Sequence, residues 1–344
     1  MLSLSKDNTL LLLKKHHMKT IYLALIALVV FTSCENSGKT TRILKESVGN
    51  INNLQLVIDN ELWNGPVGEI IRERFAAPTD GLPQDEPLFS MRQMAPEAFT
   101  GFARTSRLFL HVSIGDEERI GLNKDVYARP QTGAVVEAFT EEGLVKLLSK
   151  NSDSIIQSFK ETEIRERQRR TNIQLLPMES LVEKMGVTMK MPSAYRFVRE
   201  NDDFFWLRKN LKSGSTNIIV YEVPLNTIRK DSAVADIIKM RDTTGARLMP
   251  VEEGGMYITE GAYAPYLFER ELDGNFMYVT KGIWEVKDQY MAGPFVNYAV
   301  MDEVNNRWLI LEGFVYAPSE EKRDLQFELI SILKSAKFKN AAVK

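Results

Sequence analysis

Apolar residues in the first half of the chain occur in short strand-like runs and, further on, at helical spacing. Four strands are predicted in this half, at residues 54–58, 88–94, 107–114 and 133–139. A helix is predicted over 63–75, with Pro66 in its first turn. A longer helix is predicted over 141–170, because its apolar residues recur on one face: Leu144, Leu148, Ile155 and Phe159.

The pattern breaks at residues 171–177, and strand-like runs dominate the second half. The predicted strands are 195–200, 204–209, 216–223, 255–259, 266–272, 276–285, 295–302 and 307–316. Asp273-Gly274 between two of them predicts a tight antiparallel hairpin. Helices are predicted at 178–185 and 232–240, and a last helix from a cap at Ser319 to about residue 338.

These elements predict an α+β protein with two antiparallel-sheet domains, each packed by helices. The domains are predicted at residues 50–172 and 173–344. A strand, turn, strand and helix occur in that order at 107–170 and again at 295–338. An internal duplication is therefore one hypothesis, although residue identity between the halves does not establish it.

The N-terminus carries the features of a signal peptide. Ile21–Phe31 is an apolar run of 11 residues, too short to span a bilayer, which needs about 20. Lys19 supplies a positive charge before it, as in secretory leaders. Residues 1–33 are thus predicted to be removed, and Met18 is an alternative start that would give a leader of ordinary length.

The lone cysteine follows this run directly. Phe31-Thr32-Ser33-Cys34 resembles the lipobox of bacterial lipoproteins, which implies cleavage before Cys34 and acylation of its thiol with diacylglycerol. The lipid bilayer would then be a partner through Cys34, and residues 34–49 would be a polar tether. The alternative is an inert cysteine at the end of a core helix. One acid and then a base follow Cys34 at Glu35 and Lys39, which favours a periplasm-facing protein.

Composition and charge narrow the functional classes. The chain is 44% hydrophobic and 26% charged, as expected of a folded protein. Loss of the four lysines and one aspartate of residues 1–33 changes the formal net charge from −2 to −5. A mildly acidic protein is poorly suited to nucleic acid, so no nucleic-acid partner is predicted.

Few residues offer catalytic chemistry. After cleavage the one histidine is His111, in a predicted strand, where packing is the expected role. No catalytic residues, metal ligands or cofactors are predicted, because no established catalytic or metal-binding motif occurs. Three acid pairs remain, and neighbouring acids on a strand point to opposite faces. They are Asp202-Asp203, Glu252-Glu253 and Asp302-Glu303.

Aromatic residues are concentrated near the C-terminus. Residues 257–316 hold 13 of the 32 Phe, Trp and Tyr residues of the chain. Core packing explains such density in half-buried strands. The alternative is a groove for a partner or glycan, with Tyr263, Tyr266 and Trp284 as candidate ligand-binding residues.

Three segments together carry a resemblance to a known family: ELWNGPVGEIIRERF with GLPQDEPLF, MAGPFVNYAVMDEVNNRWLILEGFVYAP, and the lipobox. They resemble an uncharacterised family of Bacteroidota envelope lipoproteins, a domain of unknown function, over about residues 50–338. The second half is also similar to the PsbP/Mog1-like sandwich in its order of strands and closing helix. The resemblance implies a setting in the envelope and no particular activity.

The function predicted from the sequence is that of a membrane-anchored, non-enzymatic binding or scaffold protein, with an envelope protein or glycan as partner. The alternative is a carboxylate-dependent hydrolase of peptidoglycan or another envelope glycan, which two acids from different segments would serve.

Overall fold

The computed structural model describes residues 43–251 and 255–339, and from Lys45 onward these described residues form one compact unit. The predicted leader, Cys34 and the tether up to residue 42 lie outside the described residues, as does the acid pair Glu252-Glu253. No helix within the described ranges is long and apolar enough to cross a membrane. The predicted division at residue 172 stays a prediction, but one large sheet lies on each side of it.

The first sheet has five strands: β2 Asn53–Val57, β3 Ser90–Met94, β4 Leu108–Ile114, β5 Arg119–Lys124 and β7 Thr132–Ala138. Their order in the sheet is β3-β2-β4-β7-β5. Four strand predictions are confirmed, and the edge strand β5 was not predicted because its sequence, RIGLNK, has few apolar residues. Two short strands, β1 Lys45–Glu46 and β6 Ala128–Arg129, pair with each other beside this sheet.

The direction of these strands corrects the predicted antiparallel pairing. β2 pairs with β3 and β4 in parallel, β4 pairs with β7 in parallel, and the β5–β7 pairing alone in this sheet is antiparallel. Parallel pairing arises because the chain leaves β2 through two helices and returns to the same end of the sheet before β3. The two predicted repeats therefore pair differently: β4 and β7 are parallel, whereas their counterparts in the second half are antiparallel.

Three helices belong to this half: α1 Asn60–Asn64, α2 Pro66–Phe75 and α3 Glu141–Thr171. Thr140 caps α3, since its hydroxyl accepts the backbone N–H of Gly143 at 3.2 Å. The predicted apolar stripe of α3 is confirmed. All four of its residues are fully buried against the sheet, and each contributes roughly 1.5–3 kcal/mol through burial.

The second sheet has eight strands, and every pairing in it is antiparallel, as predicted. Their order is β12-β14-β15-β16-β11-β10-β9, with β13 also paired to β14. The bounds are β9 Arg196–Glu200, β10 Phe204–Leu211, β11 Gly214–Pro224, β12 Tyr257–Thr259, β13 Tyr266–Leu272, β14 Asn275–Val286, β15 Ala292–Asp302 and β16 Arg307–Tyr316. The predicted hairpin turn is present, with positive φ at Asp273 and Gly274.

Helices cover both faces of this sheet. α4 Glu179–Met185 and α6 Arg323–Leu333 pack on one face, and α5 Ala233–Leu248 packs on the other. The last helix is shorter than predicted, because residues 337–338 form β17 against β8 Val187–Thr188. Ser319 does not cap it. The carboxylate of Glu86, from the first half, accepts the backbone N–H groups of Lys322 and Arg323 instead.

The two halves meet where α3 crosses α6. Arg167 on α3 forms an ion pair with Glu328 on α6, and the Gln168 side chain donates to the carbonyl of Ser331 at 2.9 Å. The Asn52 amide donates to Asp324 at 3.0 Å. The observed class is α+β, as predicted.

Candidate ligand-binding site

The three aromatic candidates do not lie together. Antiparallel partners share a face, so Tyr266, opposite Lys281 on β14, faces the side covered by α6. Trp284 is three residues further along β14 and faces the α5 side. Tyr263 and Tyr266 are 67% and 50% exposed, whereas Trp284 is 2% exposed. No single cleft therefore contains all three.

Trp284 forms part of the floor of a groove on the α5 side. Its ring stacks on Tyr257 at 5.2 Å, and its indole N–H donates to the carbonyl of Val315 at 3.1 Å. Trp206 and Arg208 also line this groove of about 580 Å³, with the guanidinium 4.9 Å from the indole centroid. Most of its aromatic surface is packed into the core, so the groove offers little free apolar face.

A second cavity, of about 470 Å³, lies where the two halves meet. The loop between α2 and β3, helices α3 and α6, and strands β13–β15 provide its walls. Its size is within the range of small-molecule sites. Apolar side chains cover much of the wall: Leu88, Ile164, Phe268, Leu272, Met277, Val279, Tyr298, Phe327 and Ile330.

Three lysines from different elements line this cavity. Lys160 comes from α3, Lys281 from β14, and Lys334 from the residue after α6. In the described part of the chain, one carboxylate lies within ion-pair distance of any of them: Asp80 Oδ2 is 3.7 Å from Lys281 Nζ. We call Lys160, Lys281 and Lys334 the lysine cluster.

The positive charges of the lysine cluster are only partly balanced by nearby negative charge. Burial and, to a lesser extent, the charge of Lys281 lower the pKa of Lys160 to about 8, although the charge of Asp80 opposes this. Burial also lowers the pKa of Lys281 and of Lys334. An ammonium group that is held away from water without a full partner is destabilised, and a bound anion would remove that penalty.

Neutral polar groups in the cavity also lack partners. Gln326 on α6 is 1% exposed, and neither its amide nitrogen nor its amide oxygen has a hydrogen-bond partner. The buried hydroxyl of Thr79 has none either. Buried polar groups are nearly always paired in folded proteins, so unpaired ones at a cavity wall mark positions where a ligand can bind.

Sequence reasoning missed this site, because the lysine cluster is assembled from residues far apart in the chain. One signal was present: Lys281 lies in the middle of an otherwise apolar strand, FMYVTKGIWEV. A charged residue in such a strand is rarely fully buried unless it is paired.

The other candidates for chemistry have structural roles. Burial lowers the pKa of His111, which lies in β4 as predicted. Asp302 accepts from Arg307 at 2.9 Å and from the backbone of Asn305, and Asp202 pairs with Lys184 at 3.1 Å. No group of three His, Cys, Asp or Glu residues suited to a metal ion occurs in the described ranges.

The fold is that of an α+β protein, with a partly open pocket of ligand size that the lysine cluster lines. Residues 174–335 match a family described as a domain of unknown function, DUF4837. Residues 47–172 match another domain of unknown function, DUF8532. A comparison with curated proteins gave no match.

Among solved structures, the chain is similar to the Ran-binding protein Mog1p of Saccharomyces cerevisiae. The match has 10% identity and a TM-score of 0.32, and it covers 46% of this chain and 92% of that one. A likeness of this size carries no functional argument.

Proposed function

We propose that this protein is a lipid-anchored envelope protein that binds a small organic anion in the cavity between its halves. The observation that carries the binding role is the lysine cluster, which brings three ammonium groups to one cavity, where Asp80 is the one described carboxylate within ion-pair distance of them. Such a site attracts negative charge, and its apolar walls favour an organic ligand over an inorganic ion.

The anchor is proposed from the sequence. The apolar run Ile21–Phe31 and the lipobox-like Phe31-Thr32-Ser33-Cys34 support lipid attachment at Cys34, and the residues after it support a periplasmic orientation. Fatty-acid labelling of the wild type and of Cys34→Ala tests the anchor. We expect label on the wild type alone, and label retained by Cys34→Ala would contradict it. Protease treatment of intact cells tests the orientation, and digestion would contradict it.

Binding without conversion is favoured over hydrolysis. In the described acid pairs that motivated the hydrolase alternative, one acid of each pair already forms an ion pair. Asp302 pairs with Arg307, and Asp202 pairs with Lys184 on the surface. Five cationic and three acidic residues line this cavity, an excess of positive charge that is suited to hold an anion. Incubation of the protein with cell-wall glycan should release no sugar. If the wild type released sugar and Asp80→Asn did not, hydrolysis would be supported instead.

Thermal unfolding of the full chain in detergent tests anion binding. Glutarate and its neutral analogue 1,5-pentanediol are compared at matched ionic strength. Occupancy at about 100 times Kd stabilises a protein by about 2.7 kcal/mol, so glutarate should raise the Tm and pentanediol should not. Lys160→Met should abolish most of the shift. Lys146→Met, on the exposed side of the same helix, is the control and should leave the shift unchanged. Equal shifts in both variants would contradict the proposed site.

A further inference from the structure

Gln326 is the least satisfied polar side chain in the cavity wall. It lies in the first turn of α6, and its side chain is almost completely buried. Both amide atoms lack a partner, so the cavity presents one unused N–H donor group and one unused carbonyl acceptor at the same position.

A second buried amide in the cavity wall is paired, in contrast to Gln326. Asn52 also lines the cavity and is equally buried, but its amide nitrogen donates to Asp324 at 3.0 Å. An unpaired buried amide costs about 1–3 kcal/mol of folding free energy. A ligand that supplies both a hydrogen-bond donor and an acceptor to Gln326 would offset this loss of folding free energy.

The aromatic surface of the cavity limits the kind of ligand. Phe268 is stacked by Tyr266 at 6.4 Å, with the planes inclined by 1°. The cations of Arg270 and Lys281 lie 5.4 and 5.7 Å from the same ring. This ring is therefore already engaged, which disfavours the stacking of a flat base and favours a flexible aliphatic ligand.

We propose that the ligand is a carboxylate that also carries an amide, the chemistry of an N-acylated acidic amino acid or a short acidic peptide. This inference rests on the proposed anion-binding function. The lysine cluster holds the carboxylates, the Gln326 amide N–H donates to the ligand carbonyl, and the Gln326 carbonyl accepts the ligand N–H. The apolar residues of β13 and β14 pack against its aliphatic part.

Calorimetric titration with matched probes tests this. N-acetyl-L-glutamate and glutarate share the spacing of two carboxylates, and the first alone carries an amide. With two additional hydrogen bonds, wild-type protein should bind N-acetyl-L-glutamate about tenfold more tightly than glutarate. Gln326→Leu should reduce that ratio to about one and should not lower the urea midpoint. Gln157→Leu, an exposed glutamine on α3, is the matched control.

The outcomes separate the two proposals. If the wild type binds both dianions equally, the amide inference is wrong and anion binding stands. If it binds neither, the proposed function fails. Uridine monophosphate is the third probe. If it binds more tightly than N-acetyl-L-glutamate, and if Gln326→Leu removes that difference, the ligand of Gln326 is a nucleobase and the amide inference is wrong. The wild-type ratio needs no variant, so a folding defect in Gln326→Leu leaves the test intact.

Discussion

The carboxylate of Glu86 accepts the backbone N–H of Arg323 at 2.8 Å, joining residues that are 237 positions apart in the sequence. Its other oxygen accepts the N–H of Lys322 at 2.7 Å. The first half of the chain thereby supplies the N-terminal cap of the last helix, at the end where a negative charge is favoured by the helix dipole.

Removal of this cap should destabilise the protein. Glu86→Ala leaves two buried N–H groups at the start of α6 unpaired, and we expect a loss of about 1–3 kcal/mol in the free energy of unfolding. Urea denaturation measures it. Asp85→Ala removes an exposed neighbouring charge and should change stability by less than about 0.5 kcal/mol. Equal effects of the two variants would argue against the cap.

The buried ion pair of Arg107 and Glu163 gives a second stability prediction. Arg107 Nε lies 2.8 Å from the Glu163 carboxylate, and both side chains are at most 1% exposed. Arg107→Met strands a buried carboxylate and should cost about 3–5 kcal/mol, which the double variant with Glu163→Met should largely restore. Arg119→Met breaks a pair at an exposed guanidinium and should cost less than about 1 kcal/mol. Absence of recovery in the double variant would contradict this assignment.

Asp80 should weaken anion binding. It is the carboxylate beside Lys281, so it competes with a ligand for the lysine cluster. Asp80→Asn should raise the affinity for glutarate by about three- to tenfold at low salt, and by less at high salt, because Coulomb interactions are screened. Titration at two ionic strengths measures this, with Asp85→Asn as the control. Weaker binding by Asp80→Asn would mean that Asp80 orients Lys281 rather than opposing the ligand.

The lowered pKa of Lys160 predicts the pH dependence of stability. Its pKa is about 8 in the folded protein against an ordinary value of 10.5, so the unfolded chain binds more protons between these values. Stability must therefore rise with pH in this window. The contribution of Lys160 should be about 2–3 kcal/mol between pH 7 and 10.

Urea denaturation at pH 7, 8.5 and 10 isolates that contribution as the difference between wild type and Lys160→Met. Lys146→Met should follow the wild-type curve. Parallel curves for wild type and Lys160→Met would show that Lys160 titrates normally. Saturating glutarate should flatten the dependence, since a bound anion raises the pKa of the lysines around it.

Local patterns in the sequence predicted the elements well. The spacing of Leu144, Leu148, Ile155 and Phe159 defined the buried face of α3, and Asp273-Gly274 defined a hairpin turn, because both signals act over a few residues. The parallel pairing of β2 with β4 was not predictable in this way, since strand direction depends on how the intervening chain crosses the sheet.

Local sequence patterns could not predict the candidate site for the same reason. Lys160, Lys281 and Lys334 are separated by long stretches of chain, and their proximity depends on how α3 and α6 pack. The aromatic density near Trp284 was visible in the sequence, but it mainly reflects core packing, as the burial of Trp284 shows. Ser319 looked like a cap, yet a distant glutamate performs that role.

The loop that carries Glu86 also has a kinetic consequence. Thr79 and Asp80, a few residues before Glu86, form part of the cavity wall. A ligand that contacts Thr79 or Asp80 would therefore touch the same loop whose Glu86 carboxylate holds the start of α6. A change at Glu86 would then alter the residence time of the ligand without any change in the groups that contact the ligand.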